Sequence, residues 1–194
     1  MNMRLGENIM SFVRAATASD ARAIAEIKIE AWRDAYKGIL SEDTLTNKLD
    51  VDKQSDKLVK QIPAGTDNSF MFVYDDPERG ILGYSRILIK TNTLHDEEDS
   101  FVGSVLRKMQ IGEGRFSELY VKPQIQRQGI GKSLFEFVSN FARGKGIKTM
   151  QGNCFSDNAK GMSFHIKSGA KVLKKELSET WGEEKEESVL EWTL

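Results

Sequence analysis

The sequence predicts a single α/β domain built on a mixed sheet over residues 11–194, and three observations carry that reading. A chain of 194 residues is long enough for one complete core and short for two. Hydrophobic residues make up 39% and charged residues 29%, the balance of a globular chain rather than a disordered one. After residue 115, strand-like and helix-like segments alternate, with no repeat and no linker between them.

The first ten residues, MNMRLGENIM, lack an apolar signal-peptide core and read as a frayed leader. Ser11-Phe12-Val13-Arg14 reads as a short edge strand. Thr17 and Asp20 form a capping pattern ahead of Ile24, Ile27, Ala31 and Ala35, which recur at helical spacing until Gly38 supplies a stop. A more polar helix is expected over residues 41–60, ended by Pro63 and Gly65. Strands at 69–74 and 81–89 flank the turn-rich Asp75-Asp76-Pro77-Glu78-Arg79-Gly80. Residues 91–115 carry the acidic run Asp96-Glu97-Glu98-Asp99 and a helical turn near 105–109; they read as a loop inserted between strands. A strand at 116–121, a helix at 129–144, a strand at 149–154 and a helix at 158–168, closed by Gly169, come next. Two last strands, near 171–177 and 187–194, are joined by an acidic loop containing Trp181.

Composition narrows the function. A formal net charge of −1 gives no reason to expect nucleic acid or an anionic membrane as partner. No apolar run approaches membrane-spanning length. The single cysteine, Cys154, excludes an internal disulfide, fits a reducing cytoplasm and reads as a small buried side chain. Two histidines, His95 and His165, with one cysteine are too few ligands for a zinc site, so no metal is expected.

The stretch QRQGIGKS, residues 126–133, lies between the apolar run Leu119-Tyr120-Val121 and a helix whose Ile130, Leu134, Phe137, Val138 and Phe141 form one stripe. First-turn amides of a helix have no intrahelical acceptor, and Gly129 and Gly131 let a ligand approach the backbone closely. The helix N-terminus favours an anion by ~0.3–1 kcal/mol. Arg127 and Lys132 flank these amides and can add charge-assisted bonds of ~1.5–3 kcal/mol each, a set of donors that suits a pyrophosphate. On the glycines alone, a plain strand-to-helix turn with two solvated cations is the favoured reading. A P-loop fails because Gln126 stands where its first glycine belongs, and a dinucleotide fingerprint fails at Leu134.

A third pattern fits. Gln126-x-x-Gly129-x-Gly131, preceded by Leu119-x-Val121 and Pro123, resembles the coenzyme A motif of the GNAT family of N-acetyltransferases. Asn158, Phe164, Lys167 and Gly169 resemble the family's next segment, in which an Asn opens a helix ending in Phe-Tyr-x-Lys-x-Gly. The run from Ala31 to Ile39 (AWRDAYKGI) is similar to the first helix of a bacterial branch. The resemblance implies a twisted, mostly antiparallel mixed sheet of six to seven strands, flanked by about four helices, with central strands that splay. Acetyl-CoA as cosubstrate would lie in that gap. Backbone groups along Leu119, Tyr120 and Val121 would bond its pantetheine arm and polarise the thioester. The loop of Gln126, Arg127, Gln128, Gly129, Ile130, Gly131 and Lys132 would hold the pyrophosphate, and Asn158 would reach the arm from the other wall. The implied reaction is direct attack by a neutral primary amine on the thioester, which needs an oxyanion donor, a base and an acid for the sulfur.

Two positions depart from the family. His165 stands where the family's Tyr protonates the leaving thiolate; it reads either as that acid or as packing beside Phe164. Asn153 stands where some protein-modifying members carry a glutamate base. Glu118 shares a strand face with Tyr120 and is the base candidate, with an ordinary solvent-facing glutamate as the other reading. By family geometry Trp32 and Tyr36 would wall the acceptor pocket, although aromatics on a helix are commonly core. Trp181, flanked by Glu183-Glu184 and Glu186-Glu187, reads as a lid, and these acidic patches with Asp96–Asp99 would attract a cationic acceptor such as a polyamine or aminoglycoside. The alternatives are a non-catalytic acyl-CoA-binding protein on the same fold, a protein or peptide N-acetyltransferase, and a nucleotide-binding protein using Gly131-Lys132-Ser133. A homodimer is left open.

Overall fold

The computed structural model describes residues 12–62, 68–91 and 101–194. The leader at 1–10, the stop at Pro63 and Gly65, His95 and the acidic run 96–99 lie outside the described residues. Among the described residues, seven strands and five α-helices follow in the order β1 (Val13–Ala15), α1 (Ala21–Ala35), α2 (Val51–Gln61), β2 (Ser69–Asp76), β3 (Gly80–Ile89), α3 (Phe101–Lys108), β4 (Gly114–Val121), α4 (Ile130–Gly144), β5 (Thr149–Phe155), α5 (Ala159–Lys167), β6 (Lys171–Thr180) and β7 (Glu183–Thr193). They form one sheet in the order β1-β2-β3-β4-β5-β7-β6, antiparallel throughout except for the parallel β4/β5 pair. No helix among the described residues is long and apolar enough to cross a membrane.

Period-two and period-3.6 patterns together bury both sheet faces. On one face, α1 and α2 bring Ile24, Ile27 and Leu58 onto Val73 and Tyr84. On the other, α4 brings Ile130, Leu134 and Val138 onto Leu82, Ile87 and Val121. Each such side chain is worth ~1.5–3 kcal/mol when fully buried. At the start of α1, the Thr17 amide donates to the Asp20 carboxylate at 2.8 Å, which is the expected capping contact.

Three expectations need correction. The polar helix at 41–60 is two pieces: a π-type turn at Thr44–Lys48, then α2, whose N-cap Asp50 accepts from the Lys53 amide. The extended backbone at Leu49 and Asp50 separates them, because Asp competes for its own backbone and starts helices better than it continues them. Within the stretch read as an inserted loop, Phe101–Lys108 is a helix, with Leu106 packed on Leu88 of β3. The last two strands run to Thr180 and from Glu183, so the acidic loop is a two-residue turn with positive φ at Trp181 (58°) and Gly182 (82°). That matches the right-handed strand twist, and it places Glu183, Glu184, Glu186 and Glu187 in β7 itself.

Candidate active site

β4 and β5 are paired only at Gly114–Met150 and Arg115–Gln151. Beyond those residues they diverge, leaving the main chain of 116–121 open along one edge. Gly152 sits at the fork, where a Cβ would come within 2.8 Å of the Phe116 carbonyl oxygen and 3.2 Å of the Trp192 ring. Only glycine allows that approach without displacing backbone. β4 carries an extra residue at Ser117, since Arg86 faces Glu118 while Ile87 faces Phe116. This bulge turns Phe116, Leu119 and Val121 toward α4, and Glu118 and Tyr120 toward α1.

The fork opens into a cleft of about 880 Å³. Leu119, Tyr120, Val121, Gln126, Arg127, Gly129, Ile130, Gly131, Lys132 and Asn158 all line it, whereas Gln128 does not. The first intrahelical bond of α4 runs from Ser133 to Gly129, so the amides of Ile130, Gly131 and Lys132 have no acceptor in the helix. The loop reaches this position through two left-handed residues, Arg127 (φ 64°) and Gly129 (φ 87°). Gln126 braces the turn, its side-chain amide donating to the Val121 carbonyl at 3.3 Å. Asn158 caps α5, accepting from the Gly161 amide at 3.0 Å through Oδ1, which leaves its NH₂ as the donating group. An open strand edge ending at an open helix N-terminus, with Arg127 and Lys132 beside it, fits an extended amide-bearing chain that terminates in phosphates.

Glu118 is not a solvent-facing glutamate. Its carboxylate lies 3.4 Å from Lys28 Nζ and 3.9 Å from Arg86 Nη1, and it accepts from the Tyr84 hydroxyl at 2.5 Å. Burial pushes its pKa up, but the two cations and the phenol outweigh that and hold it below the usual carboxylate range. Tyr84 remains a donor because burial and the Glu118 charge push its own pKa well above 10.

His165 lines the cleft and packs among Phe116, Phe164 and Trp192, with centroids 6.2, 5.4 and 5.4 Å away. Its Nδ1 is out of water with no hydrogen-bond partner among the described residues. Burial lowers its pKa to about 4, so the ring is a neutral imidazole near pH 7, and the imidazolium form of the expected acid is set aside. Cys154 also lines the cleft, and burial raises its thiol to about 12.

On the α1 side, Tyr36 lines the cleft and its hydroxyl meets that of Tyr120 at 3.3 Å. Trp32 does not line it; it packs edge-on to Tyr36 in a small cluster with Leu40, Leu45 and Phe155. Trp181 is 46% exposed with its ring 6.4 Å from Trp32. Its carbonyl accepts from Lys48 at 2.8 Å, and the Glu183 carboxylate accepts from the Ser41 amide (3.0 Å) and hydroxyl (2.8 Å) and the Thr44 hydroxyl (2.7 Å). The β6–β7 turn is therefore fastened to the segment that follows α1.

Sequence reasoning missed Lys28, Arg86 and Tyr84 around Glu118, and the Asp34–Lys160 ion pair at 3.2 Å that joins α1 to α5 on the cleft lining. Lys28 had a signal, since Lys28, Trp32 and Tyr36 recur every four residues, and the ammonium sits 5.8 Å from the Trp32 ring. Asn153 is engaged with Arg115 at 3.0 Å and Glu187 at 2.6 Å. No group of three His, Cys, Asp or Glu among the described residues is placed to hold a metal.

Comparisons with known proteins agree with this architecture. The chain is 24% identical over 177 residues to the spermidine N(1)-acetyltransferase of Thermoplasma acidophilum, covering 91% of this chain and 98% of that one. Among solved structures, the PaiA N-acetyltransferase of Thermoplasma acidophilum in complex with coenzyme A superposes with a TM-score of 0.69 at 20% identity, covering 94% and 98% of the two chains. YncA of Salmonella typhimurium, a putative acetyltransferase with its cofactor acetyl-CoA, gives 0.63 at 19% identity over 93% and 92%. The model of the acetyltransferase (GNAT) family matches residues 29–170, and with most of the domain inside that match, the chain belongs to the GNAT acetyltransferase family.

Proposed function

We propose that this protein transfers the acetyl group of acetyl-CoA to a small, cationic primary amine by direct attack within a ternary complex. The observation that carries the reading is the unpaired edge of β4 leading into the open N-terminus of α4. Main-chain groups of Leu119 to Val121 hold the pantetheine arm, and an amide there meets the developing oxyanion. The amides of residues 129–132, with Arg127 and Lys132, hold the pyrophosphate. Acetyl-CoA supplies the activated acyl group.

Glu118 takes up the amine proton, through a bridging water where direct contact is lacking; its cation neighbours keep it ionised and ready. His165 donates from a neutral N–H to the departing sulfur. The cationic acceptor is favoured by the spermidine-acetylating relative and by Asp34, whose exposed pair with Lys160 is worth ~0–1 kcal/mol and yields to a substrate ammonium. Cys154, kept as a thiol, forms no acyl-enzyme.

Calorimetric titration with acetyl-CoA, followed by thiol release across a panel of polyamines, aminoglycosides, amino acids and peptides, tests the proposal. Binding with turnover on small cationic amines supports it. Binding without turnover on any amine points to an acyl-CoA-binding protein, turnover on peptides alone to a peptide acetyltransferase, and stabilisation by ATP–Mg in place of acetyl-CoA overturns the family chemistry.

A further inference from the structure

Among the described residues β6 ends the sheet, with β7 on one side and no strand paired on the other. Its Val172, Leu173 and Leu177 are 45%, 49% and 65% exposed. A ten-residue edge with apolar side chains is a template for another strand. The β6–β7 register also sets like charges directly opposite each other, Glu176 against Glu187 and Glu179 against Glu184, an arrangement that destabilises a ladder. Lys174 answers Glu176 at 2.6 Å and Asn153 answers Glu187, but Glu179 and Glu184 have no ion-pair partner among the described residues.

A second copy of the chain would supply one. Antiparallel strands related by a two-fold axis normal to the sheet pair residues symmetrically about the axis, and facing residues share a face, so the axis passes through a residue. The register shift between Val172 and Lys174 confines regular pairing to residues 174–180. An axis through Lys175 or Glu176 would set that charge against itself, and one through Ser178 would leave both lysines unmatched. Through Leu177, each Lys175, whose exposed ammonium reaches Glu186 of its own strand pair at 2.8 Å, faces the Glu179 of the other copy and can bridge the two carboxylates, while Lys174 faces Thr180, Glu176 faces Ser178, and the two exposed leucines meet on the axis. We infer that β6 pairs with β6 of a second copy about a two-fold axis through Leu177, joining the two sheets into one and bringing a lysine to the Glu179–Glu184 acidic pair.

Light scattering coupled to size exclusion should show a species of twice the 21.9 kDa chain mass that dissociates on dilution. Lys175→Glu places like charges at two facing positions and should weaken the dimer by about tenfold or more. Adding Glu179→Lys to that variant should restore it. Leu177→Cys should cross-link on mild oxidation, because directly facing residues stand ~4.5–5.5 Å apart at Cα; Cys154 is buried and does not compete. Acetyl-CoA affinity should not change, and the loss of the exposed Lys175–Glu186 pair in Lys175→Glu should lower the melting temperature at low concentration only slightly. A wild type that stays monomeric, a dimer indifferent to Lys175→Glu, or a dimer in which Leu177→Cys fails to cross-link overturns the inference.

Discussion

The side of the cleft formed by β4 and the start of α4 offers the open main-chain edge and the free helix amides, whereas the α1 side offers the side chains of Asp34 and Tyr36, with the β6–β7 turn fastened outside the cleft lining to the segment that follows α1. The first is compact in sequence: residues 119–132 supply the open edge, the turn and the helix N-terminus. The second is braced from distant parts, since Ser41, after α1, bonds Glu183, 142 positions away, outside the cleft lining. Main-chain donors suit a ligand whose thioester, amides and phosphates do not vary between reactions. Side chains, which can be exchanged one at a time, suit a ligand that differs from one relative to the next. The contrast predicts that substitutions on the two walls separate cosubstrate affinity from acceptor recognition.

The largest effect is expected at Gly129. Its φ of 87° is a glycine conformation, and nothing lies within 4 Å of where a Cβ would stand, so a side chain there would project into open space at the amide cradle. Gly129→Asp introduces a carboxylate among groups that would hold phosphate and should weaken acetyl-CoA binding about a thousandfold, the loss of two or more charge-assisted bonds. Arg127→Ala removes one donor of several and should cost about tenfold. Titration calorimetry distinguishes them; equal losses would mean that side chains rather than amides hold the phosphates.

His165, a side chain of α5 on the cleft lining, tests whether chemistry also draws on that third element. His165→Phe keeps the aromatic packing against Phe116 and Trp192 and should lower kcat about 10²-fold with acetyl-CoA affinity unchanged. His165→Tyr should retain much of the rate. The same residue predicts a stability trend. Its folded pKa, about 4, lies below the usual histidine value, so the unfolded chain binds the proton first and stability falls as pH drops from about 6.5 toward 4. In His165→Phe that contribution to the slope should vanish. An unchanged kcat where chemistry limits turnover leaves His165 as packing.

This division also explains what the sequence disclosed. The strand–turn–helix of the proposed cofactor wall is local, and its requirements (an apolar run, a brace at Gln126, glycine at positive φ, an amphipathic helix) leave marks within fifteen residues. Asn158 was found through the start of its helix, and the structure shows it capping that helix. The setting of Glu118 is different in kind. Lys28, Tyr84 and Arg86 come from α1 and β3, and no spacing in one segment encodes their convergence. The Trp181-Gly182 turn was hidden for another reason: a non-glycine residue at positive φ is rare, so a run of glutamates after it read as loop.

Tyr84 provides a smaller and sharper probe. Tyr84→Phe removes one hydrogen bond that helps hold Glu118 ionised and leaves Lys28 and Arg86 in place. The Glu118 pKa should rise, so the acid limb of the kcat/KM profile should move to higher pH while the plateau rate stays the same. The stability that the ionised carboxylate contributes, present above the ordinary carboxylate range and lost as pH falls through its depressed folded value, should be smaller in Tyr84→Phe, with its loss complete at a higher pH. An acid limb that does not move would remove Glu118 from the rate-determining proton transfer.

The smallest effect is expected where the acceptor wall is fastened. The Thr44 and Ser41 hydroxyls and the Ser41 amide pull the Glu183 carboxylate down to about 2, so it stays ionised throughout the working range and the fastening should not respond to pH. Glu183→Ala removes the bonds from Ser41 and Thr44, leaving Lys48 on the Trp181 carbonyl as the remaining tie of the β6–β7 turn, and loosens Trp181 against Trp32, but it touches neither the main-chain edge of β4 nor the N-terminus of α4. The KM for the amine should therefore rise by less than about tenfold, with acetyl-CoA affinity and the kcat plateau unchanged, the pattern of an interaction made equally in the ground and transition states. Glu183→Gln, whose amide oxygen can still accept from Ser41, should fall between the wild type and Ala. Parallel loss of acetyl-CoA affinity in Glu183→Ala would show that the two walls are one cooperative unit, and the contrast between them would no longer hold.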